Sequence, residues 1–170
     1  MAAEDPQLKR AGPLPPGAIV CLSAAALTER LEEEINRAGR HSTPLSCLLV
    51  VIENLDELAQ RHGSELAAQT LAYVCKALRR ELRRFDRVGR PSDDELAVLL
   101  PGADGPRGEI VARRVLGRLR AIKVEADGMR RPLRVSVGLA AWREDLSGEQ
   151  LLAQTRTAAH RGHVVEAIET

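Results

Sequence analysis

Apolar positions change period several times along the chain, and each change predicts an element. Leu27, Leu31 and Ile35 recur every four residues after Ser23, which predicts an amphipathic helix closing near Gly39. The run PLSCLLVVIE (44–53) is apolar without interruption over a strand's length, so it predicts a central strand buried on both faces. A short helix follows around 55–61, then a break at Gly63. A longer helix over 64–83 turns Leu66, Leu71, Val74, Leu78 and Leu82 inward. DRVGR and ELAVLLP flank the turn-forming PSDD and predict a β-hairpin over 86–101. Helical spacing resumes to about 122. Asp127-Gly128 then signals a tight hairpin turn, and LRVSVGLAAW (133–142) alternates as a strand. Ser147 caps a last helix, and HVVEAIE predicts a final short strand.

A hairpin excludes a wholly parallel sheet. The pattern therefore predicts an α/β (α+β) fold with a central mixed, mostly antiparallel, five-stranded sheet flanked by helices. Residues 1–17 hold four prolines and few large apolar groups, which reads as a disordered tail or linker ahead of one domain over 18–170.

Composition narrows the picture. Apolar residues make up 44% of the 170 and aromatics only 2%, so the core must be aliphatic. Net charge is +1, which gives no global attraction to nucleic acid or membrane. Cys21, Cys47 and Cys75 are odd in number and widely spaced, so they read as small buried apolar residues in a reducing compartment. No 18-residue apolar run and no apolar signal core is present, which points to the cytoplasm. Of 25 basic residues three are lysine, and arginine's planar fork suits phosphates and guanine edges.

Candidate chemistry gathers in RELRRFDRVGRPSDDELAVLLPG (80–102), where arginine pairs precede three consecutive acids. On their own these charges fit a solvated surface, a metal site or parts of a nucleotide site. His62 reads as a structural turn residue and His41 as a loop residue.

Several strings resemble the GGDEF family of diguanylate cyclase catalytic domains. DRVGRPSDDELAVLLPGAD is similar to the family's D-x-v-a-R-x-G-G-D/E-E-F-a-v-l-l-P. LSCLLVVIENLDELAQRHG, LRVSVGLAAW and EINRAGR are similar to its strand-and-helix, v-t-v-S-i-G-v-A and first-helix strings. EQLLAQTRTAAHRG resembles its e-L-l-x-x-A-D-x-A-L-Y-x-A-K-x-x-G helix. The resemblance implies GTP and two divalent metals in an intact site, with two protomers making cyclic di-GMP.

Carried over residue by residue, that active site is altered. The glycine pair falls on Ser92 and Asp93, and the acids remain as Asp94 and Glu95. The family's metal-binding strand aspartate falls on Val51, with Glu53 a poor substitute, and the guanine contacts fall on Ala59 and Ala68. Asp56 replaces a lysine, and the phosphate-contacting lysine falls on His160 or His163. Each lost charged hydrogen bond costs about 1.5 to 3 kcal/mol. The expectation is a remnant active site, with no catalytic residue, no metal and no cofactor, in a protein that is not an enzyme.

The family's second nucleotide site, the product-inhibition site R-x-x-D placed five residues before the signature, is matched by Arg83 and Asp86, and Arg114 falls on its further arginine. An R-x-x-D string is common in so arginine-rich a chain, and an i,i+3 ion pair at a helix end looks the same. Its placement at the family's spacing implies a cyclic di-GMP receptor, with Arg84, Arg87 and Arg90 as accessory candidates, a protein partner of unknown identity and a ligand-linked homodimer. The alternative is a ligand-free dimerisation or protein-interaction module.

Overall fold

The computed structural model describes residues 21–161. The tail at 1–17, the final strand HVVEAIE and His163 lie outside them.

An edge strand β1 (Cys21–Leu22) leads into α1 (Ala24–His41), whose first turn is capped by Ser23. The helix runs two residues past Gly39 and ends at Ser42, which takes the left-handed conformation at φ 53°. His41 is thus the last helical residue rather than part of a loop. The continuous apolar run forms β2 (Leu45–Ile52), and all eight residues are buried. α2 (Leu55–His62) and α3 (Ser64–Arg80) follow, separated by Gly63. α3 stops at Arg80, three residues short of the expected end. Leu78, Arg79 and Arg83 carbonyls accept bonds from Glu81, Leu82 and Asp86, so 81–86 is a chain of turns.

The predicted hairpin is β3 (Arg87–Gly89) and β4 (Glu95–Pro101), followed by α4 (Gly105–Arg120) under an Asp104 cap. β5 (Lys123–Ala126) and β6 (Met129–Pro132) form a separate two-stranded hairpin. Its turn places both Asp127 (φ 53°) and Gly128 (φ 74°) at positive φ. That requirement of a two-residue hairpin is why an Asp-Gly pair signals it. β7 (Val135–Ala141) returns to the main sheet, and α5 (Gly148–His160) starts at a Ser147–Gln150 capping box.

Among the described residues the main sheet has five strands in the order β1-β3-β4-β2-β7, as expected in number and class. There β1 pairs with β3 in parallel and the other pairings are antiparallel. β1 joins the sheet through two residues, too short a segment for alternation to reveal.

Period-two alternation divides β2 between two cores. Leu48, Val50 and Ile52 face α2, α3 and α4, while Leu45, Cys47, Leu49 and Val51 face α1 and α5. Gly138 on β7 lets α5 lie directly on the sheet, since a Cβ there would collide with the backbone of Thr155 and Ala159. This close approach puts Arg156 over the end of β4. Of the cysteines, Cys47 is buried as expected, but Cys21 is exposed on the edge strand and Cys75 half-buried.

Candidate functional site

Both candidate regions hang from the β3–β4 hairpin, where Arg87 lies opposite Leu99 and Gly89 opposite Ala97. Loop 81–86 leads into one end, and turn 90–94 closes the other.

Loop 81–86 is shaped by guanidinium groups bonding to backbone. Arg79, in the last turn of α3, donates to the Asp86 carbonyl at 2.6 Å and the Arg84 carbonyl at 2.7 Å. The Asp86 carboxylate points inward and is 2% exposed. One of its oxygens accepts the Arg83 backbone N–H at 2.7 Å, and the other meets the Arg83 guanidinium at 3.3 Å. That guanidinium also donates to the Pro101 carbonyl at 2.9 Å and stacks on Phe85, 4.6 Å from the ring centroid. Even so, the Arg83 side chain is 46% exposed. Pinned on one edge and stacked on a ring, it holds a planar donor fork toward solvent.

Arg114, on α4, donates to the Glu81 carbonyl at 2.7 Å and pairs with the Glu81 carboxylate at 3.0 Å. It is therefore tied to the loop that carries Arg83. Among the described residues it makes no hydrogen bond or ion pair with Arg83 or Asp86. Arg87 donates to the Arg84 carbonyl at 3.3 Å, so both belong to this end. Arg90 belongs to the other end, where it donates to the Asp93 carbonyl at 2.8 Å.

At that other end Glu95 is 5% exposed, opposite Val51, which is itself opposite Ser136. The three form a row across β4, β2 and β7. Arg156 reaches down from α5 and donates Nε and Nη2 to the two Glu95 oxygens, each at 2.8 Å. The Ser92 hydroxyl lies 2.7 Å from Glu95 Oε1 and 3.1 Å from Asp94 Oδ1. The Arg156 hydrogen bonds hold the Glu95 carboxyl below the usual carboxylate range against the opposing effect of burial, and Ser92 assists. The same bonds push Arg156 up.

Three of the positions that would face a divalent metal here have few free oxygens to offer it. Val51 offers no oxygen, both Glu95 oxygens are held by a guanidinium, and Glu53 spends an oxygen on the Ser136 hydroxyl at 2.8 Å. Among the described residues no three His, Cys, Asp or Glu side chains are grouped to hold a metal ion. Ala59 packs partly buried on α2, Ala68 is exposed on α3, and His160 is exposed at the end of α5. His62 Nδ1 lies 3.2 Å from Asp127 Oδ2, linking α2 to the small hairpin.

Sequence reasoning missed Arg79 and Arg156. Nothing in an arginine-rich string distinguishes Arg79. Arg156 had a signal, because it stands where the similar family helix writes aspartate, opposite in charge.

The chain matches the family model described as "Diguanylate cyclase, GGDEF domain" over residues 23–163. It belongs to the GGDEF family. A curated relative, diguanylate cyclase DgcP of Pseudomonas aeruginosa, is 26% identical over 137 residues, covering 81% of this chain and 20% of the relative. This chain thus spans about a fifth of that relative's length. Diguanylate cyclase SiaD of P. aeruginosa, solved with its activator SiaC, superposes with TM-score 0.79 at 24% identity, covering 91% of this chain and 59% of that one. The GGDEF domain of DgcB from Caulobacter crescentus, solved in complex with c-di-GMP, superposes with TM-score 0.77 at 14% identity, covering 86% and 88%. These two likenesses show the shared fold.

Membership corrects one expectation. The altered signature suggested a protein that is not an enzyme, but the family is described as diguanylate cyclase and the curated relative bears that name. Substitutions weighed one at a time against a motif do not outweigh a match running through the GGDEF domain. No helix among the described residues is long and apolar enough to cross a membrane.

Proposed function

We propose that this GGDEF domain works in bacterial cyclic di-GMP signalling in the cytoplasm as a receptor for that dinucleotide, held by Arg83, Asp86 and Arg114 with Arg84 and Arg87 at the rim. The observation that carries this reading is the Arg83 guanidinium, half-exposed yet fixed by Pro101, Phe85 and Asp86. A fork held this way can take guanine O6 and N7, or a phosphate, without first losing its own freedom. Asp86 acts in two steps. Its 2.7 Å bond to the Arg83 backbone shapes the turn, while its longer 3.3 Å contact is the one a guanine N–H would replace. Arg114 joins by exchanging Glu81 for a ligand phosphate. The DgcB GGDEF domain, which shares this fold, is solved in complex with c-di-GMP, and this supports the reading. A protein partner would read the occupied state; SiaD, which shares this fold, is solved with a protein partner, its activator SiaC.

Calorimetry with cyclic di-GMP, with linear pGpG and GTP as controls, tests the proposal. Ligand at about 100 times its Kd should also stabilise the fold by about 2.7 kcal/mol. Neither heat nor a thermal shift at high ligand would leave the interaction-module reading in its place. Light scattering tests the ligand-linked dimer, and an unchanged monomer mass on saturation would rule it out.

A further inference from the structure

A concave surface lies between α3, α4 and the β5–β6 hairpin, one helical turn along α4 from Arg114. Its cavity is about 410 Å³, within the range of small-molecule sites. Five cations line it: Lys76, Arg80, Arg118, Lys123 and Arg130. The whole chain carries only +1, so this concentration is local. It includes two of the three lysines.

Helix C-termini favour basic residues because of the helix dipole, which accounts for Arg80 and Arg118. It does not account for Lys76, which precedes the last turn of α3, or for Lys123 and Arg130 on strands. Nor are the charges cancelled in place. Arg118 reaches Glu81 only at 3.9 Å, and that carboxylate is already paired with Arg114 at 3.0 Å. Arg130 meets Glu125 at 3.6 Å with both side chains exposed, a contact of small net worth. Among the described residues Lys76, Arg80 and Lys123 have no ion pair. Beside these cations, Tyr73 is 62% exposed and Ile122 adds an apolar wall.

We propose that this pocket binds a nucleoside polyphosphate, with its phosphates among Lys76, Arg80 and Lys123 and its base against Tyr73 and Ile122. Lysine ammonium groups serve as mobile point charges for phosphate, and an exposed aromatic face stacks any base. The site is separate from the Arg83 site and asks nothing of the signature turn.

The test is calorimetry on the full chain in EDTA, with ATP, inorganic tripolyphosphate and adenosine as probes. ATP should bind, tripolyphosphate more weakly and adenosine not at all, and raising salt should weaken both phosphates. Lys76→Glu and Lys123→Glu should each reduce ATP affinity about tenfold or more, and Tyr73→Ala should reduce ATP but not tripolyphosphate affinity. Arg83→Ala should leave ATP binding unchanged, which separates this site from the one proposed above. A methyl NMR titration should shift Ile122 on adding ATP to the unaltered protein, a readout that needs no variant to fold. The proposal is overturned if millimolar ATP gives neither heat nor an Ile122 shift, or if folded charge-reversal variants bind like the parent.

Discussion

The two ends of the β3–β4 hairpin use the same ingredients, an arginine and a buried carboxylate, to opposite effect. At the signature end Glu95 has both oxygens held at 2.8 Å by Arg156, and cation and anion satisfy each other. At the loop end Asp86 spends its shortest bond on the Arg83 backbone N–H and keeps only a 3.3 Å contact to the guanidinium. The Arg83 fork is left largely free, though it cannot wander. Residue type alone does not say whether a charge is available. What decides is whether its partner's lone pairs are taken by backbone or by the charge itself.

The largest change expected comes from breaking the closed end. Arg156→Ala strands Glu95 with its charge buried, and breaking such pairs is strongly destabilising. Arg156 is more than a third exposed, so screening reduces the loss to about 2–3 kcal/mol, measured by urea unfolding. The effect should depend on pH with a definite sign. Glu95 is lowered in the folded state, so its contribution is present above the ordinary carboxylate range and lost as pH falls through the lowered value. Parent and variant should therefore converge in acid, and a gap that persisted or widened there would mean that packing by Arg156, not the ion pair, is responsible.

Next in size is the open end. Arg83→Ala should weaken cyclic di-GMP binding by about 2 kcal/mol, roughly thirtyfold by calorimetry. Its cost in stability should stay below that of Arg156→Ala, since the short Asp86 bond goes to the backbone and only the Pro101, Phe85 and longer Asp86 contacts are lost. A large stability loss with unaltered affinity would make Arg83 structural and would erase the contrast between the two ends.

Arg114→Ala should be milder, about 1 kcal/mol in affinity, because this side chain must first leave Glu81 before it can reach ligand. The smallest effect belongs to Asp94→Ala, whose side chain at the hairpin tip bonds the Ser92 hydroxyl and adds a minor charge interaction with Arg156. Both stability and cyclic di-GMP affinity should stay within about 0.5 kcal/mol of the parent. If Asp94→Ala abolished binding while Arg83→Ala did not, the dinucleotide would have to sit at the signature end.

Particular elements show how far the sequence was legible. β2 announced itself because an interior strand of a sheet with helices on both faces admits no polar position but Ser46, whose hydroxyl bonds the Ala103 carbonyl at 2.9 Å. Asp127-Gly128 and the Ser147 cap were equally plain, since each backbone conformation suits few residues. The end of α3 was misplaced by three residues. Leu82 continues the apolar period, but the chain has already turned, and Arg79 holds the turn by bonds to carbonyls five and seven residues ahead. Within the candidate site the spacing of Arg83 and Asp86 was visible as a string, whereas the burial of Asp86 was not.

By itself, then, the sequence determined most of the order of elements, the two-faced strand β2 and the capped and Asp-Gly turns, because each depends on local conformational preference or on the period of apolar residues, while the family showed in motif strings. Only the tertiary structure decided which charges are spent. The Arg156–Glu95 bond spans 61 positions and depends on Gly138 admitting α5 against the sheet. The Arg83–Pro101 bond spans 18 and depends on where β4 ends. Charges act through space at a few ångströms, and spacing along the chain fixes that distance only within a turn of helix or across a tight hairpin.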